Sequence, residues 1–419
     1  MSSTLSNPPS ISRAPWRHHR ADAVALWSQH LGGPERAELK VAHAYLDNPA
    51  GEGQCLLAQD GSPPQSIGAL GLHARRYWRG CDAADFHILA DFVVDPRQRT
   101  LGPALALMRA AIDTTRQQAL GLFGWPNERS AAVARRAGLP PLLAMRRYVK
   151  PLRSRLPLMR LHQAPRATQG GWSELPHKAY ASMLPALLPV VTPVLDAALS
   201  AHDQLQLLGG RASAALRHEG PGSGWHAAHR GAWHHVGGFA DTPPGNRRAQ
   251  DNPTACQAVD TLWARRCTSW WLSERSWPVL CWRFAHGQWQ LSVWLDTAGQ
   301  AQGYVVWRTA PAAGLAAPQA GRSGDEVVEI ADVLCNTLAQ SLAPMLRSFG
   351  HSMRRQTRAQ LLSLEFGGCT ALARQILDAG FLARGRPAPV LGMPPPAAVH
   401  DSWHPDDLFL TSLDRDPDL

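Results

Sequence analysis

Lysine is almost missing from this chain. Only Lys40, Lys150 and Lys178 contribute to its 42 basic residues, and the rest are arginine. The arginines are scattered, so the formal charge of +9 describes a mildly basic protein and disfavours nucleic acid as a partner. No run of 18 or more uninterrupted apolar residues occurs, which argues against a membrane span. The first twenty residues are Ser/Pro-rich and then basic, without an apolar centre; a secretory leader is not expected, and the default compartment is cytoplasmic. The seven cysteines are odd in number, widely spaced and without a CxxC pair. This argues against a disulfide framework or zinc finger and leaves reduced core thiols. No nucleophile elbow and no P-loop is present. Charged residues are few, 18% against 45% hydrophobic, so 419 residues can bury a sizeable core, with two or three domains as the expectation.

Apolar spacing gives a coarse map. Residues 21–43 read as helical, broken by Gly32-Gly33-Pro34. Strands are expected at 55–58, 66–72 and 85–94. A helix follows over 103–118, where Ala104, Leu107, Met108 and Ala111 share one face. A short strand (120–124), a short helix (130–137) stopped by Gly138 and a strand at 145–149 complete an α/β unit. Residues 152–252 are less regular. Met183 to Leu195, interrupted by three prolines, reads as packing or a linker, and 218–253 as a long surface loop. From 258 onward the order repeats: helix, paired strands (288–296, 302–308), strand (327–334), helix (337–353), strand (360–365), helix (370–378). The tail segment 408–414 reads as a closing strand. The domains expected are a disordered 1–17, a first domain at 18–152, a connecting segment at 153–254, a divergent second domain at 255–392 and a tail at 393–419.

The most informative stretch is Asp91-Phe92-Val93-Val94-Asp95-Pro96-Arg97-Gln98-Arg99-Thr100-Leu101-Gly102-Pro103-Ala104. A strand ends at Val94, a turn follows, and a helix opens at Pro103, whose fixed φ suits a first helical position. Backbone N–H groups of Thr100, Leu101, Gly102 and Ala104 would converge at the helix N-terminus, where unpaired donors and the helix dipole favour an anion. Gly102 permits close approach of a phosphate. Arg97 and Arg99 add positive charge.

These residues resemble the GCN5-related N-acetyltransferase superfamily. Its pyrophosphate loop, Q/R-x-x-G-x-G/A after a V-x-P strand end, is matched by Arg99 to Ala104 and by Val94-Asp95-Pro96. Trp125-Pro126-Asn127-Glu128-Arg129-Ser130, leading to Ala137-Gly138-Leu139, resembles its second cofactor segment. The resemblance covers about 20–150. It implies an α/β fold with a mixed central sheet flanked by helices, two acyltransferase-like domains of which the second is divergent, and acetyl-CoA or another acyl-CoA as co-substrate with no metal. The cofactor-binding residues implied are Val93, Val94, Arg99, Thr100, Leu101, Gly102, Pro103, Ala104, Asn127 and Ser130. Residues 255–392 resemble a second copy without the loop, since 335–340 carry no glycine. The implied reaction is acyl transfer to an amine, or to a hydroxyl, on a small-molecule or glycan acceptor.

Such a reaction needs a base. Asp85, His87, Leu89 and Asp91 share one strand face by period two, so His87 and Asp91 are the candidates; Asp91 would need its pKa raised by burial. The tyrosine acid the family often carries falls on Ala134 here, leaving water, Tyr77 or Tyr148. The His226-x-x-His229 and His234-His235 pairs lack a nearby acid and a helix to hold metal-binding geometry. The ten tryptophans between Trp225 and Trp307 suit core packing, with sugar stacking as the alternative. Two further readings stay open: an aminoacyl-tRNA-dependent transferase of the cell-wall bridge type, and a non-catalytic CoA-binding sensor or scaffold.

Overall fold

The structure is a computed structural model describing residues 9–98, 101–154, 191–205, 232–239, 253–266, 269–311, 326–395 and 404–415. Four strands run antiparallel in succession: β1 (Ser10–Pro15), β2 (Gln54–Asp60), β3 (Gln65–Arg79) and β4 (Asp82–Val94). Helices α1 (Trp16–Trp27) and α2 (Pro34–Lys40) lie between β1 and β2 in the chain. Helix α3 (Leu101–Gln117) then carries the chain to β5 (Gly121–Gly124), parallel to β4, and α4 (Glu128–Arg136) leads to β6 (Pro141–Pro151).

After a helical segment at 191–205, α5, come β7 (Ala232–Gly238), α6 (Pro253–Ala264), β8 (Trp271–Ser273) and α7 (Trp277–Arg283). Antiparallel β9 (Gln290–Leu295), β10 (Ala301–Pro311) and β11 (Glu326–Cys335) follow. Helix α8 (Leu338–Gln356) crosses to β12 (Leu361–Gly368), parallel to β11. Helix α9 (Thr370–Asp378), β13 (Leu382–Met393) and β14 (Leu408–Thr411) end the described chain.

All these strands belong to one 14-stranded sheet, with main order β1-β2-β3-β4-β5-β13-β6-β12-β11-β10-β9-β7. The two halves exchange their late strands. β6 pairs with β12 and β13, while β13 pairs with β5 and β6. β14 pairs with β12 and β8, and β8 reaches back to β3.

The apolar spacing in α3 does what it predicts: Ala104, Leu107, Met108 and Ala111 are buried in one cluster with Leu56, Ile67 and Leu70 of β2 and β3. The second half buries Trp294, Trp307 and Phe349 in a larger cluster. Trp271, at 1% exposure, lies in a cluster with Tyr77 and Phe86, so the described tryptophans of that region pack largely into the interior.

Two expectations change. Residues 10–15, assigned to a disordered terminus, are the edge strand β1, in register with β2 from Ser10↔Gln59 to Pro15↔Gln54. The expected loop 218–253 contains β7, paired with β9 from Ala232↔Leu295 to Gly238↔Gln290. In both cases a non-local ladder overrides a composition rich in turn-forming residues. The rest of the proline-broken stretch, 183–190, lies outside the described residues, whereas 191–205 is helical. Asp203 of that helix meets Arg354 at 2.8 Å and Lys150 at 3.2 Å, both largely buried.

Candidate functional site

Strands β4 and β5 pair from Phe86↔Gly121 to Leu89↔Gly124 and then separate. At that point β4 bulges. Ala69↔Val93 and Gly71↔Ala90 are paired, so two residues, Asp91 and Phe92, oppose Leu70 alone. Asp91 adopts φ +51°, a left-handed conformation that is costly for a residue with a Cβ.

Four neighbours hold it there. The Trp27 indole N–H donates to the Asp91 carbonyl at 3.0 Å, and the Tyr45 hydroxyl donates to Oδ2 at 2.6 Å. Lys40 Nζ lies 2.6 Å from Oδ1 and His73 Nε2 3.6 Å from Oδ2. Gly71 leaves room for this cluster, because a Cβ there would overlap the Tyr45 hydroxyl.

The parting strands open a cavity of about 420 Å³. Leu89 to Phe92 of β4 form one wall and Gly124 to Asn127 the other. Ser130 and Ala134 of α4, Met108 of α3, and Arg36 and Lys40 of α2 complete it, with Arg415 from the C-terminal segment. Its volume lies within the 300–1,000 Å³ range of ligand pockets.

The N-terminal turn of α3 stands nearby in the chain, immediately after β4. Leu101 and Gly102 are exposed, and first-turn N–H groups have no intrahelical acceptors. Pro103 and Ala104 are buried. Arg99 and Thr100 lie outside the described residues. The backbone N–H and guanidinium of Arg97 both bond Asp95, at 2.8 and 2.9 Å, so its charge is answered within the turn. Val93 and Val94 are buried in the packing behind the loop and do not line the cavity.

Asn127 is the N-cap of α4: its Oδ1 accepts from the backbone N–H groups of Arg129 (3.1 Å) and Ser130 (3.0 Å). The structure therefore gathers Asp91, Asn127 and Ser130 at one cavity, with the turn at Leu101–Ala104 at the start of a helix that lines it.

The period-two face does not survive the bulge. Asp85 is on the surface paired with Arg76. His87 is buried against α3, with Nδ1 3.0 Å from Thr115 Oγ1, and lies outside the cavity lining. Burial lowers its pKa to about 4. Asp91 does line the cavity, but its pKa moves opposite to what a base requires. Burial favours the neutral acid, yet His73 and Lys40 more than offset it and leave a value of about 2. Neither residue is arranged as a general base at neutral pH. Of the tyrosine alternatives, Tyr77 is fully buried, with its hydroxyl donating to Asp414 at 3.0 Å, and Tyr148 is buried in the second-half core.

These shifts set the acid behaviour. His87, and His43 with a pKa lowered to about 3 by burial, take up protons in the unfolded chain before the folded one. Stability therefore falls as pH drops below the ordinary histidine value near 6.5, by about 1.4 kcal/mol per pH unit for each such histidine. The Asp91 contribution is full above about pH 4 and is lost as pH falls through 2. Urea unfolding at pH 7 and pH 5 checks this: His87→Gln shows a smaller loss between the two than the unsubstituted chain. Equal losses contradict the burial argument.

The second half repeats the bulge. β11 and β12 pair from Val327↔Leu361 to Ile330↔Leu364, and Ala331 is the extra residue against β10. Ile330-Ala331-Asp332 thus takes the place of Leu89-Ala90-Asp91. Here the aspartate is sealed off. Asp332 is fully buried, 3.1 Å from Arg275 Nε, and accepts from Tyr304 and Thr411 hydroxyls at 2.7 Å each. The turn before α8 is also closed: Asn336 N–H donates to Gln302 O at 3.0 Å, and Leu338 is buried.

No family model matches the chain, and no curated protein matches it. Solved structures do. A GCN5-related N-acetyltransferase from Anabaena variabilis is similar over 93% of this chain and 74% of its own, with TM-score 0.53 and 11% identity. A conserved protein from Enterococcus faecalis, described as a probable N-acyltransferase, is similar over 94% and 74%, with TM-score 0.52 and 10% identity. The chain therefore has a mixed α/β fold of the kind seen in GCN5-related N-acetyltransferases, and the likeness extends over both halves. Among the described residues, no helix is long and apolar enough to cross a membrane.

Proposed function

We propose that the chain is an acyl-CoA-dependent acyltransferase with one donor site, formed by the β4–β5 cleft and the N-terminal turn of α3. The observation that carries the reading is the parting of two parallel strands over a 420 Å³ cavity at a backbone bulge. A CoA thioester supplies an activated acyl group. The turn Arg99 to Ala104 would hold its diphosphate through backbone N–H groups, and Asn127 and Ser130 would flank the pantetheine arm. Asp91 fixes the bulge and is a positioning residue.

The chain reads as a tandem, with a donor-binding domain at 18–152 and a divergent copy at 255–392. A bulge just beyond the end of each parallel ladder, at Asp91–Phe92 and at Ala331, and the matching strand–helix–strand order support the duplication. The sealed Asp332 and the engaged turn before α8 support one donor site per chain.

A second reading, a CoA-binding sensor, is favoured by one observation: among the described residues lining the cavity the one carboxylate is Asp91, already engaged by Tyr45 and Lys40, and there is no imidazole. Incubation with acetyl-CoA and a panel of amines separates the two. Amine-dependent release of free thiol is the expected result; CoA binding with no turnover on any amine favours the sensor.

A further inference from the structure

A second cavity, of about 160 Å³, lies over the second half's counterpart of the cleft, touching Ile330 and Ala331. Arg415 lines both cavities. The second is too small for a nucleotide thioester and is the size of a headgroup. Its wall is strongly basic. Arg147, Arg283, Arg308 and Arg415 face Glu329 and Glu365, a surplus of two positive charges.

The guanidiniums are held in place. Arg147 and Arg415 converge on opposite oxygens of the single Glu365 carboxylate, at 3.1 and 2.7 Å. Arg308 bonds Glu329 at 2.8 Å and stacks 4.3 Å above the Trp289 ring. Arg283 donates to the carbonyls of Leu413, Ser412 and Arg415, which fixes the backbone carrying Arg415. Each guanidinium offers five N–H donors, and one carboxylate shared by Arg147 and Arg415 engages few of theirs. Planar forks on an aromatic floor suit a carboxylate or phosphate.

We infer that this cavity is the acceptor-recognition site, and that the acceptor is an amine bearing an anionic group, a carboxylate or a phosphate. The inference rests on the acyltransferase reading, because it names that reaction's acceptor. With the anion seated near Arg147 and Arg308, the amine would reach past Arg415 toward the bulge at Asp91.

The test has two layers. First, inorganic phosphate and acetate are titrated calorimetrically into the full chain, Arg147→Gln and Arg308→Gln, with acetyl-CoA titrated separately. The expected result is anion binding that weakens about tenfold in each variant, partly restored by Arg308→Lys, while acetyl-CoA affinity stays within about twofold. Second, thiol release is compared for matched acceptors: glucosamine against glucosamine 6-phosphate, and glycinamide against glycine. The anionic member of one pair is expected to have kcat/KM about tenfold higher, and the favoured pair tells phosphate from carboxylate. Neutral members that serve as well, or anion binding untouched in both variants, overturn the assignment. A chain that binds anions but not acetyl-CoA overturns the acyltransferase reading instead; one that binds acetyl-CoA but no anion overturns the acceptor site alone.

Discussion

Gly102→Glu is expected to weaken acetyl-CoA binding about 100-fold while leaving thermal stability unchanged or slightly raised. The two outcomes have opposite physical origins at one position. Gly102 is exposed in the first turn of α3, where N–H groups lack intrahelical partners. A carboxylate there satisfies those donors and the dipole, stabilising the helix by about 0.3–1 kcal/mol. The same carboxylate would occupy the place proposed for the diphosphate and repel it. Loss of about two charge-assisted hydrogen bonds, at about 1.5 kcal/mol each, gives the 100-fold effect. Calorimetry for affinity and a thermal melt for stability read the two halves independently. Unchanged affinity refutes the loop assignment. Lost affinity with a lowered melting temperature means that the substitution damaged the fold.

Arg275→Ala is expected to cost about 3–5 kcal/mol, the range for breaking a buried ion pair from one side. Arg275 is fully buried and bridges two carboxylates, Asp332 at 3.1 Å and Asp414 at 3.3 Å. Burial works against its charge, and the two carboxylates more than restore it. Asp332 itself has a raised pKa because of its burial. Without the guanidinium, two carboxylates would face each other in the interior. The damage spreads because the cluster joins distant parts of the chain: Tyr77 of β3, Tyr304 of β10, Asp332 of β11, and Thr411 and Asp414 near the end. Against the usual total of about 5–15 kcal/mol, such a loss removes a large fraction of the stability. Arg76→Ala, which breaks a half-exposed pair with Asp85, is the control and costs under about 1 kcal/mol. Adding Asp332→Leu and Asp414→Leu to Arg275→Met is expected to recover part of the loss, since apolar groups leave no charge stranded. Denaturant midpoints check all three variants against the parent; an Arg275→Ala variant within about 1 kcal/mol of the parent contradicts the clamp.

What was legible in the sequence is what depends on neighbours in sequence. The α3 face, the α4 stop at Gly138 and the helix 370–378 follow from apolar spacing and one glycine, and all three stand in the structure. The exchange of β6 and β13 was not legible, because their partners lie more than 200 residues away and carry no local mark. The bulge at Asp91 was hidden too: an aspartate at positive φ has no sequence signal, and assuming an unbroken period of two put His87 and Asp91 on one face. Two local signals are present in the sequence. Leu89-Ala90-Asp91 and Ile330-Ala331-Asp332 are a short repeat at matching strand positions. In a chain so poor in lysine, Lys40 and Lys150 each pair with a buried aspartate, Asp91 and Asp203, and only Lys40 borders the cavity.

Calorimetric titration of acetyl-CoA into the full chain is the most direct check on the donor cleft. Saturable binding with one equivalent per chain is the predicted outcome, since Leu101 and Gly102 at the start of α3 are exposed and the turn before α8 is engaged. No heat at millimolar ligand, or two equivalents per chain, contradicts the account.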